Sequence, residues 1–399
     1  MSLDTQQALA VDRAINGGKI LLISGGAGFG KTFLAKHICA EFDRTGQSYI
    51  LCAPTGKAAA RLREATSKPT STVHRALKYN GTKYLADPNE FTSKAVICDE
   101  SSMLDTQLLS ELIRRNPRKL ILIGDQAQLA PVGRGQPYKD LIELRPDLAV
   151  DLKHSYRANE AVYQSASTIR NGGRPPTQAT SDGEKWSMLN TGDAKRTHAK
   201  ILQWVTSGAF DFSQDAILVT RNGKTDKDPC TVKGLNAAIV AAISPRQEGQ
   251  RFNAGDRVIN TKNLPDMDVW NGTTGTIHAI DHDGGIWVHT DIPVIDKAKT
   301  RDEANPKYTS HVLFGKDQRK HLELAYAMTV HKAQGSEYRN VLLACFARDG
   351  WGLLDRSLFY TAVTRTQKAC CVVGELSAAW AAIDKQNVKR TVIQQLSEA

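Results

Sequence analysis

The chain has 399 residues, with 52 Lys and Arg against 42 Asp and Glu, a formal net charge of +10 and a pI near 9.2. At 41% apolar and 24% charged residues, this is ordinary globular composition, enough for two or three domains with their own cores, and not that of a disordered or low-complexity chain. The basic excess suits a polyanionic partner, and no apolar run approaches the roughly eighteen residues of a membrane span.

In the first third, short apolar runs alternate with helical patterns. KILLISG (19–25), SYILCAP (48–54), KAVICDE (94–100) and KLILIGD (119–125) read as buried strands. Their alternation predicts a parallel sheet covered on both faces, with chemistry at the carboxyl ends of the strands. The first strand runs into Gly25-Gly26-Ala27-Gly28-Phe29-Gly30-Lys31-Thr32, which satisfies G-x-x-x-x-G-K-[ST] between a strand and a helix. Such a loop wraps backbone N–H groups round phosphates, with the helix N-terminus adding partial positive charge. Lys31 is then expected on the β/γ-phosphates of ATP and Thr32 on Mg²⁺. Between the second and third strands, KYNGTKY (78–84) predicts a hairpin with a type I′ turn at Asn80-Gly81.

The third strand ends in Asp99-Glu100. Asp99 there can hold Mg²⁺ through its water shell, and Glu100 can orient or deprotonate an attacking water. A carboxylate pair after a strand is by itself more simply a helix cap; the P-loop upstream favours the catalytic reading. The fourth strand ends in Gly124-Asp125-Gln126-Ala127-Gln128-Leu129, a polar cluster that suits a γ-phosphate sensor.

Further along, AILVT (216–220), VLLACF (341–346) and ACCVVG (369–374) read as strands of a second α/β domain, with helices near 158–171, 232–243 and 355–366. Between 251 and 320 the texture changes to short β-like pieces with turns at Asn271-Gly272 and Gly284-Gly285, which predicts a small inserted β domain. The expected organisation is α/β throughout. A first domain (1–145) carries a hairpin insertion at about 75–94, and a second is built from 146–250 and 321–399 around the insertion at 251–320. The seven cysteines form no C-x-x-C pair, so no cysteine zinc site is expected. Their odd number and the lack of a leader-like start lead one to expect a cytoplasmic protein, of a bacterial or phage-infected cell.

GGAGFGKT, ICDESSMLD and GDQAQLAPVG, in this order and spacing, resemble motifs I, II and III of the superfamily 1 helicases. YRANEAV (156–162), AMTVHKAQGSEY (327–338) and LFYTAVTRTQKA (358–369) resemble motifs IV, V and VI. LDTQQALA (3–10) resembles the upstream Gln motif, and APTGKAA (53–59) and STVHRAL (71–77) resemble motifs Ia and Ib. The TVHKAQGSE form of motif V is that of the RecD and Dda branch, subfamily 1B. Motif III departs from the usual pattern, with Ala127 and Ala130 where relatives often carry prolines.

The resemblance implies two RecA-like P-loop domains, a β-barrel-like insertion in the second, and ATP bound between the domains. It gives Gln7 the adenine, and Gly25, Gly26, Ala27, Gly28, Phe29 and Gly30 the phosphates. Gln128 becomes the γ-phosphate link, Arg157 and Arg365 arginine fingers, and Gln334, Gly335 and Glu337 the opposite wall of the nucleotide site. Single-stranded DNA would be held by Pro54, Thr55, Thr72 and His74 of the first domain and by Thr329, His331 and Lys332 of the second, with Asn263 of the insertion. Either histidine alone would more often be an ordinary surface residue. Tyr79 and Tyr84 of the hairpin suit a strand-separating wedge or equally a plain cross-strand pair.

The implied activity is an ATP- and Mg²⁺-dependent single-strand DNA translocase and helicase, moving 5′→3′, monomeric, acting at duplex/single-strand junctions, with replication or recombination proteins as the candidate protein partners. A motor that strips proteins or works on RNA, and a nucleotide-gated binding module that does not turn over, are the alternatives. Glu100, Arg157 and Arg365 argue against the last, because a switch needs no full hydrolytic set.

Overall fold

Each of the four apolar runs forms a strand that stops at or one residue past its last apolar side chain. The computed structural model describes residues 3–156, 160–181, 183–301, 306–349 and 353–385, in two compact units that part between 158 and 159.

In the first unit the strands are β1 (Ile20–Ser24), β2 (Tyr49–Ala53), β3 (Ser71–Thr72), β4 (Ala95–Cys98), β5 (Lys119–Gly124) and β6 (Ala149–Asp151). They form one parallel sheet in the order β3-β2-β4-β5-β1-β6. Every residue of β4 and β5 is buried, as continuous apolar strands require when helices cover both faces. Leu22, Val96, Leu120 and Leu122 share a core with Leu108 and Leu112 of the helix Thr106–Arg114. Registers Ser24↔Gly124 and Cys98↔Leu122 place the ends of β1, β5 and β4 side by side. β6 pairs with β1, so residues 149–151 complete this sheet, past the junction expected at 145.

The hairpin exists but without the expected turn. Tyr79 and Tyr84 form a single antiparallel bridge, with rings 4.6 Å apart. Gly81 has φ +102, while Asn80 is absent from the positive-φ residues that a type I′ turn needs at both central positions. Instead the Asn80 side-chain oxygen accepts from the N–H groups of Thr82 and Lys83. This Asx turn closes a four-residue loop.

The second unit holds β7 (Gln178–Ser181), β8 (Glu184–Asn190), β9 (Ala216–Val219), β10 (Arg257–Asn260), β11 (Thr274–Ile280), β12 (Ile286–Ile295), β13 (Tyr308–Phe314), β14 (Leu322–Leu324), β15 (Ala327–Thr329), β16 (Tyr338–Cys345) and β17 (Thr366–Gly374). One sheet runs β15-β9-β16-β17-β8-β7, parallel except for the β7–β8 pair. The expected helices appear at Ala161–Arg170, Val232–Ile243 and Arg356–Val363.

The insertion is a five-stranded antiparallel sheet, β13-β12-β11-β10-β14. Its ladder is open: among the described residues β13 and β14 do not pair. Val258, Ile277, Val288, Val312 and Phe314 fill the core beneath it. Gly272 and Gly284 take positive φ at the expected turns. Among the described residues no helix is long and apolar enough to cross a membrane.

Candidate functional site

At the end of β1 the chain turns through Gly25–Gly30 into the helix Lys31–Arg44. Gly28 and Gly30 have φ +78 and +73, the left-handed region that favours glycine. At Gly30 a side chain would also collide with its surroundings, since a Cβ would sit 2.8 Å from Gln7 Nε2 and 3.3 Å from the Tyr156 ring. The loop carbonyls of Gly25 and Gly26 each accept a 2.9 Å hydrogen bond from Lys31 Nζ. The ammonium is thus held over the loop at the mouth of the helix, where anionic ligands bind best. Thr32 lies on the first turn and is exposed.

The neighbouring strand ends bring the other charges to this place. Asp99 is buried and its carboxylate accepts from the Glu100 N–H at 2.8 Å. Burial, with the adjacent Glu100 charge second, pushes the Asp99 carboxyl up to about 6, against the pull of Lys31 and Arg61. Glu100 has φ +51, a conformation that costs a non-glycine residue about 1–3 kcal/mol and clusters at working sites. Its Oε2 is buried without a hydrogen bond in the protein. At the end of β5, Asp125 is fully buried and accepts from the Ala127 N–H at 3.1 Å, which shapes the turn carrying buried Gln128. Asp99 and Thr32 carry hard oxygen donors of the kind that Mg²⁺ takes.

Gln7 is fully buried although it lies on the first helix, Thr5–Asn16, whose capping box it forms with Asp4. Its Oε1 accepts from the Tyr156 hydroxyl at 2.8 Å, and its Nε2 reaches the Phe29 carbonyl at 3.5 Å. Tyr156 N–H also donates to the Gly28 carbonyl at 3.2 Å, and the ring remains 40% exposed. Residue reading missed Tyr156; the YR of motif IV was the signal, and only Arg157 was taken from it. Arg157 itself lies outside the described residues.

Pro54 and Thr55 stand at the end of β2, where Thr55 caps the helix Gly56–Thr66 by accepting from the Ala58 N–H at 3.2 Å. Thr72 caps the short helix Val73–Ala76 in the same way through the Arg75 N–H. His74, on that turn, packs edge-on to Tyr79 at 5.4 Å, and burial holds its imidazole below its usual pKa.

In the second unit Arg365 is buried and donates to the carbonyls of Thr361 and Ser336 and to the Thr364 hydroxyl at 3.2–3.3 Å. Gln334 is buried, Gly335 has φ +73, and Glu337 accepts from Gln367 at 3.2 Å. Thr329 is buried and accepts from the Lys332 N–H. Lys332 pairs with Glu323 at 3.2 Å, and His331 is partly exposed beside it. Asn263 accepts from the Asn271 N–H at 2.9 Å, so it ties two loops of the insertion.

Residues 2–193 match the family model of an AAA domain, and residues 324–373 that of the UvrD-like helicase C-terminal domain. The chain is similar to the ATP-dependent RecD2 DNA helicase of Deinococcus radiodurans, with 29% identity over 407 residues covering 97% of this chain and 51% of that protein. To the RecBCD enzyme subunit RecD of Mycolicibacterium smegmatis it is 27% identical over 434 residues, covering 97% and 74%. The chain thus spans about half the length of the RecD2 protein. The crystal structure of Pif1 helicase from Candida albicans shares its fold, with a TM-score of 0.59 at 15% identity, over 100% of this chain and 98% of that one.

Proposed function

We propose that this chain is a superfamily 1B helicase of the RecD-like kind, an ATP-driven translocase and helicase that moves 5′→3′ along single-stranded DNA. The observation that carries this is the meeting of Lys31, Asp99, Glu100 and Gln128 at three neighbouring strand ends of one parallel sheet. A binding switch has no use for a strained Glu100 with one buried, unbonded carboxylate oxygen; a hydrolase does.

Lys31 swings from its loop carbonyls to the β/γ-phosphates, and the N–H groups of the loop hold the remaining oxygens. Thr32 and Asp99 would hold a Mg²⁺, which would supply positive charge against the phosphates. Glu100 takes the proton of the attacking water, and Gln128 senses the γ-phosphate. Arg157 and Arg365 balance the charge that grows in the transition state. The helix N-terminus capped by Thr55, with Pro54, Thr72 and His74, meets strand phosphates, as do Thr329, His331, Lys332 and Asn263.

The relatives named as DNA helicases support DNA as the track. ATP turnover should rise on adding a single-stranded DNA oligonucleotide, and a 5′-tailed duplex should be unwound while a 3′-tailed one is not. Unwinding of only the 3′-tailed duplex would reverse the polarity. Stimulation by RNA alone would move the motor to RNA, and turnover indifferent to any strand would end the motor reading.

Tyr156 is assigned the base of the nucleotide, stacking on it while its hydroxyl orients Gln7. Tyr156→Ala should raise the KM for ATP about tenfold, from a stacking contribution of about 1–2 kcal/mol, with kcat little changed. Tyr156→Phe, which keeps the ring, should retain most of the affinity. If the Phe variant is as impaired as the Ala variant, the ring does not stack.

A further inference from the structure

The solvent face of the inserted sheet carries a cluster that the nucleotide and strand sites leave unused. His289 on β12 and His311 on β13 are direct cross-strand partners, with ring centres 4.9 Å apart. His278 lies on β11 at the register shift between Ile277 and Ala279, so it is the extra residue of a bulge. Bulges re-aim side chains, and this one brings the His278 ring to 5.8 Å from that of His311. All three are exposed. Their ring contacts are with each other, and among the described residues none of their imidazole nitrogens makes a hydrogen bond. The carboxylate of Asp291, two residues along β12, is engaged by Arg257 through two bonds of 2.7 Å and neither competes for nor joins the cluster.

We propose that His289 and His311, with His278 as third donor, form a binding site for a divalent transition-metal ion, zinc foremost. Tetrahedral zinc holds imidazole nitrogens at about 2.0–2.1 Å, which sets the ring centres of its histidines about 5 Å apart. The separations of 4.9 and 5.8 Å lie near that value. The rings now stand edge to face, at 77° and 86°. As the side chains stand, no group of three or more His, Cys, Asp or Glu among the described residues, this one included, is arranged to hold a metal ion. Rotation of the side chains closes the site, and exposed side chains rotate in picoseconds to nanoseconds. Three imidazoles leave a fourth, open position to water. Bound there, the ion ties three adjacent strands of the insertion together.

The test uses the full chain without a histidine tag, stripped with EDTA. Zn²⁺ is titrated by calorimetry and Co²⁺ serves as a spectroscopic probe of tetrahedral coordination. The wild type should bind one Zn²⁺ that the variant His278→Ala/His289→Ala/His311→Ala does not. His311→Ala alone should weaken binding at least tenfold, since His311 touches both partners. Affinity should fall as pH is lowered, because protons take the same nitrogens. A Co²⁺ visible band typical of four-coordination should appear in the wild type and vanish in the triple variant. Circular dichroism and unchanged DNA-stimulated ATPase check that the variants fold. Equal Zn²⁺ binding by the folded triple variant, or no binding by the wild type, overturns the site.

Discussion

Lys31→Ala should abolish ATP hydrolysis, by at least roughly 10³-fold, and leave the fold intact. The side chain is not part of the core: it sits on the first residue of its helix, and among the described residues its ammonium bonds to the carbonyls of Gly25 and Gly26. Alanine suits a helix at that position. Thermal stability should therefore stay close to wild type. DNA affinity without nucleotide should survive as well, because the assigned strand residues lie on other elements. What disappears is the one flexible cation carried by the phosphate loop itself. Steady-state turnover in the presence of DNA decides the matter. If a tenth of wild-type turnover remains, the phosphate loop has been misread.

Glu100→Gln should separate binding from chemistry, lowering turnover by roughly 10²–10⁴-fold, the scale of a general base. Glutamine fills the same volume and meets the same left-handed backbone strain that glutamate already bears, so the fold is not asked to change. The effect on Asp99 has a definite sign. The Glu100 charge is among the causes that raise the Asp99 pKa to about 6. Removing it lowers the Asp99 pKa and so increases the ionised fraction near pH 6–7. Affinity for ATP with Mg²⁺ should then hold or improve while turnover collapses. Fluorescent-nucleotide binding and a single-turnover assay read the two effects separately. Loss of nucleotide affinity with a surviving catalytic rate would show that Glu100 holds the metal and is not the base.

Much of this was legible in the sequence because it is local. AVIC and KLILIG are apolar throughout, and such short runs between turn residues have few folds open to them except buried parallel strands. The phosphate loop is equally local: a glycine-rich turn after a strand, then Lys-Thr opening a helix. The polar ends of β4 and β5 fell at their expected positions for the same reason.

What the sequence did not disclose rests on partners far along the chain. β8 (EKWSMLN) lacks a continuous apolar run and is a strand because β17 on one side and β7 on the other supply its hydrogen bonds. β6 is three residues long and exists only as an edge of β1. At Asn80-Gly81 the local signal pointed to one turn. The Asn80 side chain, bonding to Thr82 and Lys83, selected another. Tyr156 stands 149 residues from Gln7, yet its hydroxyl holds that side chain. His278, His289 and His311 become neighbours only through strand register and one bulge. The sequence by itself determined which segments carry the chemistry, since composition and spacing act within a few turns of chain. The tertiary structure decided which distant side chains meet, because that depends on sheet order and register, which no local pattern encodes.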